Sequence, residues 1–170
     1  MGTASIRAPE SDAPQPPHRS RVVDQPGGNV ALDLFVVSQH LGALLDRAFD
    51  GTGITPSQYA VYSQLGQRTM TPRQLTEILG VRPTTLSGYL ATMERRGHVW
   101  RQRHESDGRS TWLGLTAPGR EQMEACRARM RAAVRVLNAQ LGGAAAVDAM
   151  RDQLALLDHA LVAAGRQFAQ

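Results

Sequence analysis

Residues 73–95 read RQLTEILGVRPTTLSGYLATMER, and the fold turns on how this stretch divides. Leu75, Leu79, Val81, Leu86 and Tyr89 fall at the spacings of two short helices that face each other, with Gly80 between them, where a sharp turn needs a backbone conformation that a β-carbon disfavours. The preceding Thr71-Pro72-Arg73-Gln74 supplies a helix start. A Thr cap, a Pro in the first turn and a Gln three residues after the cap together satisfy amides that have no partner inside the helix. This helix runs to about Leu79. Arg82-Pro83-Thr84 opens a second one, with a poor capping residue, and it reaches Arg96, where Gly97 offers a left-handed stop. The pattern is a helix-turn-helix, with Thr76 where the second helix approaches most closely.

With Leu86, Tyr89 or Leu90, and Met93 turned inward, the opposite face of the second helix presents Arg82, Thr84, Thr85, Ser87, Gly88, Thr92 and Arg95. Hydroxyls and guanidinium groups near a helix start suit the base edges and phosphates of a major groove, and Arg73 at the start of the first helix joins them. Any solvated helix face carries similar residues singly; the set is what points to nucleic acid.

His98 to Arg103 and Ser110 to Leu115 then read as two strands joined by His104-Glu105-Ser106-Asp107-Gly108-Arg109, which contains an Asp-Gly turn signal. Val99, Leu113 and Leu115 share the inner face of this hairpin. Trp100 and Trp112 fall on the outer face, as a cross-strand pair or in contact with a neighbouring helix. A basic hairpin directly after a reading helix reaches an adjacent minor groove, where Arg109 is drawn by negative potential and Asp107 orients its guanidinium. Arg101, Arg103 and His104 add phosphate contacts. A plain tight turn is the other reading of Asp107-Gly108-Arg109.

Outside this block the pattern is helical. Val30, Leu34, Val37, Leu41, Leu44 and Ala48 form one apolar stripe, ended by Gly51-Thr52-Gly53, and Thr55-Pro56-Ser57-Gln58 opens the next helix with Tyr59, Tyr62 and Leu65 on its buried face. Thr116 caps a long helix with Met123, Cys126, Met130, Val134, Leu137 and Leu141 on its seam; Gly142-Gly143 interrupts it. A last helix carries Val147, Met150, Leu154, Leu157, Leu161, Ala164 and Phe168. Such seams are expected to be buried against each other, against the first helix and against a second subunit, with packing within the single chain as the other reading. The expected interface residues are Val30, Leu34, Val37, Leu141, Leu154, Leu157, Leu161 and Phe168. The organisation read from the chain is a tail over 1–29, a dimerisation helix over 30–54, a reading head over 55–115 and further dimerisation helices over 116–170.

Composition limits the alternatives. All 19 basic residues are Arg, and the net charge of +4 is concentrated: 1–67 carries −2, 68–109 carries +4 and 110–170 carries +2. The positive excess coincides with the helix-turn-helix and hairpin, as a nucleic-acid footprint does. Residues 1–29 hold five of the nine prolines and little apolar periodicity, so they read as a flexible, disordered leader, with phosphate contact by Arg19 and Arg21 as the other reading. No run approaches the roughly 18 apolar residues of a membrane span, the start lacks a secretory pattern, and a cytoplasmic location follows. The single Cys126 forms neither an internal disulfide nor a cysteine-rich metal site. Phosphate loops, HExxH and nucleophile elbows are missing and the five His are scattered, so neither an enzyme nor a metal or cofactor site is expected.

The order helix, helix, helix-turn-helix, hairpin, two long helices, together with Met93-Glu94-Arg95-Arg96-Gly97-His98-Val99-Trp100-Arg101, Asp107-Gly108-Arg109 and Leu115-Thr116-Ala117-Pro118-Gly119-Arg120, resembles the multiple antibiotic resistance regulator (MarR) family from about Val30 to Phe168. His98 stands where that family usually has Leu. The resemblance implies a mainly α fold with a small β-hairpin wing, a winged helix-turn-helix flanked by N- and C-terminal dimerisation helices. It also implies a homodimer on pseudo-palindromic duplex DNA, with recognition helices in successive major grooves and wings in flanking minor grooves. Many members are repressors released by small aromatic or phenolic ligands. By that analogy Phe35, Gln39, Tyr59 and Tyr62 line a ligand crevice, with core packing as the competing role for each. Oxidation at Cys126 is an alternative signal, although the seam position favours an inert apolar role and the reactive Cys that some members carry near the first helix is missing here. A regulator without any ligand is the other alternative.

Overall fold

The structure is a computed structural model that describes Val23, residues 27–103 and residues 111–168, the side chain of Phe168 excepted. The chain forms two compact units, one through Leu41 and one from Gly42 onward, so the division falls inside the first helix. The elements are α1 (Val30–Phe49), α2 (Pro56–Leu65), α3 (Pro72–Leu79), α4 (Pro83–Arg95), β1 (Val99–Arg103), β2 (Thr111–Leu115), α5 (Ala117–Gln140) and α6 (Ala144–Phe168). The fold is a winged helix-turn-helix with long helices before and after it. Of the expected tail, only Val23 and residues 27–29 lie within the described residues.

Local chemistry accounts for most helix boundaries. Thr55 and Thr71 each form a complete capping box: the Thr hydroxyl accepts from the amide of Gln58 or Gln74, and that Gln side chain accepts from the cap amide. Gly80 ends α3 at φ 63, the left-handed conformation that makes the tight turn. Gly97, at φ 69, redirects the chain from α4 into β1. Thr116 caps α5 by accepting from the Gly119 amide.

The second unit has one core, in which Val61, Tyr62 and Leu65 of α2, Leu75 of α3, Leu86, Leu90 and Met93 of α4, Val99, Leu113 and Leu115 of the hairpin, and Met123 and Cys126 of α5 are all buried. Leu90, rather than Tyr89, takes the inward position on α4; Tyr89 is only partly buried against the same core. The strands pair antiparallel, with Val99 opposite Leu115 and Arg103 opposite Thr111. Met70, read from sequence as part of a connection, forms a bridge with Leu113, exchanging hydrogen bonds of 3.1 and 2.9 Å. This ties the start of α3 to the hairpin.

Two glycines are dictated by close approach. Trp100 lies over Gly114, its partner in the register, and a β-carbon there would come within 2.3 Å of the indole. The outer-face Trp100 therefore packs on glycine across the ladder, while Trp112 stands opposite Gln102. A β-carbon at Gly119 would lie 2.1 Å from the His98 carbonyl oxygen, so α5 begins directly on the α4–β1 junction.

The long helices behave differently from this core. Cys126 and Ala133 are buried on α5, but Val134, Val136 and Leu137 are exposed. None of the α6 side chains described is buried. Val30, Leu32, Phe35, Val37 and Leu41 of the first unit are exposed as well.

Candidate nucleic-acid interface

The surface read as DNA-facing is built on the N-terminal half of α4. Burial of Leu86, Leu90 and Met93 turns the opposite side of the helix outward, and Arg82, Thr84, Thr85, Ser87, Gly88 and Arg95 are exposed, with Thr92 half-buried. A β-carbon at Gly88 would meet nothing within 4 Å, so the helix surface is open at this point. Ser87 and Thr92 donate to the carbonyls of Pro83 and Gly88 one turn back, at 2.8 and 3.1 Å, and Arg95 donates to the Thr92 hydroxyl at 3.2 Å. These bonds fix the side chains against the helix while leaving oxygen lone pairs and the rest of the guanidinium outward.

Arg82 sits at the helix start with no side-chain cap bond. The first amides of α4 consequently have no cap of the kind that Thr55 and Thr71 provide, and its positive dipole end is open next to an exposed Arg. Between the starts of α3 and α4 lies a shallow concavity of about 300 Å³ lined by Pro72, Arg73, Thr76, Pro83, Leu86 and Ser87. Arg73 is exposed there, and its Nε donates to Glu77 at 2.9 Å. That carboxylate raises the proton affinity of Arg73, first through the hydrogen bond and then through its charge.

The hairpin contributes Arg101 and Arg103, both exposed on β1. Arg101 is held to the recognition helix, its Nε donating to Glu94 at 2.5 Å. His104, Asp107 and Arg109, expected at the hairpin tip, lie outside the described residues.

The residues expected to line a ligand crevice fall in both units. Tyr59 and Tyr62 are buried in the second unit, Tyr59 tilted against Phe49 with ring centroids 5.3 Å apart. Phe35 and Gln39 are exposed in the first unit. The Tyr62 hydroxyl meets Nδ1 of His98 at 2.7 Å, and the two rings stand edge to face. Burial raises the proton affinity of the Tyr62 phenol, with Arg96 opposing, while burial and then Arg96 lower that of His98. Sequence reasoning missed both this contact and the Glu94–Arg101 pair. Neither has a local signature, since each joins residues brought together by the turn at Gly97 or by packing of α2.

Among the described residues no cluster of His, Cys, Asp and Glu is able to hold a metal, and no helix is long and apolar enough to cross a membrane.

Comparison with known proteins agrees with this geometry. The sequence profile of the MarR family matches residues 52–110, from the loop before α2 to the end of the hairpin loop. The HTH-type transcriptional repressor YetL of Bacillus subtilis (strain 168) is 26% identical over 96 residues, which span 55% of this chain and 58% of that protein, a little over half its length. A probable transcriptional regulator from Pseudomonas aeruginosa superposes with a TM-score of 0.69 at 26% identity, covering 76% of this chain and 96% of the other. The M. tuberculosis transcriptional regulator MOSR, crystallised in complex with DNA, superposes with a TM-score of 0.70 at 26% identity over 80% of this chain and 98% of its own. The matched profile covers the helix-turn-helix and hairpin and the superpositions extend into the flanking helices, so the chain is similar to the MarR family over its reading head and has the fold of winged-helix transcriptional regulators.

Proposed function

We propose that this chain is a sequence-specific reader of duplex DNA that works as a homodimer, a cytoplasmic repressor released by a small aromatic or phenolic ligand and not an enzyme. One observation carries the DNA reading: the solvent face of α4 gathers Arg82, Thr84, Thr85, Ser87, Gly88 and Arg95 around a helix start left without a side-chain cap, while every large apolar residue of the same helix is turned into the core or partly buried. Thr and Ser hydroxyls and Arg forks in that position match base edges and phosphates. That the similar mycobacterial regulator was crystallised in complex with DNA supports the DNA reading.

Dimerisation is supported by the apolar side chains that the single chain leaves in water. Leu154, Leu156, Leu161 and Val162 of α6, Val134, Val136 and Leu137 of α5, and Val30, Phe35 and Val37 of α1 are all exposed, and such patches mark interfaces. A two-fold dimer sets two recognition helices roughly 34 Å apart, one turn of duplex, and so favours a pseudo-palindromic site. Release by a ligand and repression rest on the family relationship.

The test is binding of the purified protein to duplex DNA from upstream of its own coding sequence, across a salt series and with a panel of phenolic and aromatic acids. Specific binding that weakens log-linearly with salt, with a slope near −0.9 for each phosphate neutralised, supports the DNA reading. A flat salt response overturns phosphate-anchored binding. Binding indifferent to every compound overturns the phenolic release.

A further inference from the structure

Residues 97 and 98 are where the reading head is joined. Gly97 and His98 amides donate to the carbonyls of Glu94 and Met93 at the end of α4, at 2.8 and 2.9 Å. The His98 carbonyl accepts from the Thr116 amide at 3.1 Å, and the Thr116 hydroxyl donates to the Gly97 carbonyl at 2.7 Å. Gly119 lets α5 begin against the same carbonyl. The backbone of this junction thus serves α4, β1 and α5 together.

The His98 side chain adds the fourth element. Its Nδ1 meets the hydroxyl of Tyr62 on α2 at 2.7 Å, across 36 residues of sequence. Tyr62 is 1% exposed and therefore immobile in the core. Arg96 is the other charged group at this place, and its charge lowers the proton affinity of both the phenol and the imidazole. With the phenol donating to this contact, His98 accepts on Nδ1, is neutral and carries its own proton on Nε2.

From this geometry we propose that His98 is a positioning residue for DNA reading: through Tyr62 it fixes the junction of recognition helix and wing to α2, and it frees that junction on taking up a proton. The proposal rests on the DNA-reading function above. A proton on Nδ1 abolishes its capacity to accept, so the phenol has to turn its own proton away and accept instead, and it places a second cation beside Arg96. The groups acting on the pair are Arg96 from the turn after α4 and the buried Cys126 of α5; neither is a carboxylate that would hold an imidazolium in place.

The direction of the pH effect follows. Burial and Arg96 hold the folded-state proton affinity of His98 below its ordinary value, so the folded form is the neutral one. The link is complete above about pH 6.5, the ordinary histidine value, and is lost as pH falls through the lower folded-state value.

The experiment compares wild type, His98→Asn and Tyr62→Phe. Asn places an amide oxygen near the position of Nδ1 and does not titrate; Phe keeps the ring and removes the hydroxyl. Affinity for duplex DNA from the protein's own upstream region is measured from about pH 7.5 to about pH 5.5, together with thermal midpoints of the DNA-free protein. Wild type should lose about threefold to tenfold more affinity than His98→Asn on acidification, the worth of one hydrogen bond. Tyr62→Phe should be weaker by the same factor at pH 7.5, with no further loss. The other four histidines are common to wild type and both variants, so the difference isolates His98. His98→Asn declining in parallel with wild type overturns the proposal. If no protein binds the duplex at pH 7.5, DNA reading is what fails, and the midpoints then decide the junction. A gap of a few degrees between wild type and His98→Asn that opens with acid upholds it, and parallel midpoints overturn it.

Discussion

Arg101 of β1 and Glu94 in the last turn of α4 meet at 2.5 Å, a bond from wing to recognition helix that turns a side chain expected on phosphate toward its own protein. Both partners are partly exposed, at 45% and 35%, so the pair contributes less than about 1 kcal/mol to stability. If Arg101 keeps this partner on DNA, Arg101→Ala will leave the salt slope of binding unchanged. Arg82→Ala, at the uncapped start of α4, will reduce the slope by about 0.9. A salt series on each variant checks both, and a reduced slope for Arg101→Ala would show the guanidinium transferring to phosphate.

Gly88 and Gly119 separate function from fold. At Gly88 the space is open, so Gly88→Ala should stabilise the protein by roughly 0.5–1 kcal/mol through helix propensity while weakening duplex binding at the open centre of the reading face. At Gly119 a β-carbon meets the His98 carbonyl, and Gly119→Ala should destabilise by about 1–3 kcal/mol. Urea unfolding and duplex titration of the two variants check the opposite signs.

Cys126 has no exposed surface and lies against the α2 core, with the amide of Gln122 at 3.7 Å from its sulfur. The native thiol should therefore resist a disulfide reagent and peroxide, and react only after unfolding. Loss of DNA binding on peroxide treatment, restored in Cys126→Ser, would reinstate oxidation as the signal.

Leu154→Arg combined with Leu161→Arg should convert the dimer to monomer while leaving the near-ultraviolet spectrum of the two tryptophans unchanged, because both side chains are exposed in the single chain and Trp100 is packed within the hairpin. Sedimentation velocity decides it: an intact dimer would place the interface on other residues.

What the sequence disclosed was what short-range chemistry determines. The capping boxes at Thr55 and Thr71, the left-handed Gly80 and the Thr116 cap each involve residues within a few positions of one another, and each stands where the spacing put it. The choice between Tyr89 and Leu90 stayed open because adjacent positions on a helix differ by only 100°. The Met70–Leu113 bridge, the Trp100–Gly114 stack and the Tyr62–His98 bond pair residues distant in sequence. Their partners become readable only when three-dimensional packing brings them together.

The last helix, 25 residues long with no described side chain buried, has a consequence for concentration. An amphipathic helix that its own chain leaves in water gains most of its order from whatever covers it, and in the proposed dimer a second copy supplies that cover by mass action. Dilution then acts as a denaturant confined to one end of the molecule. The number of copies in a cell sets not only how much DNA is occupied but how much of each chain is folded when it arrives.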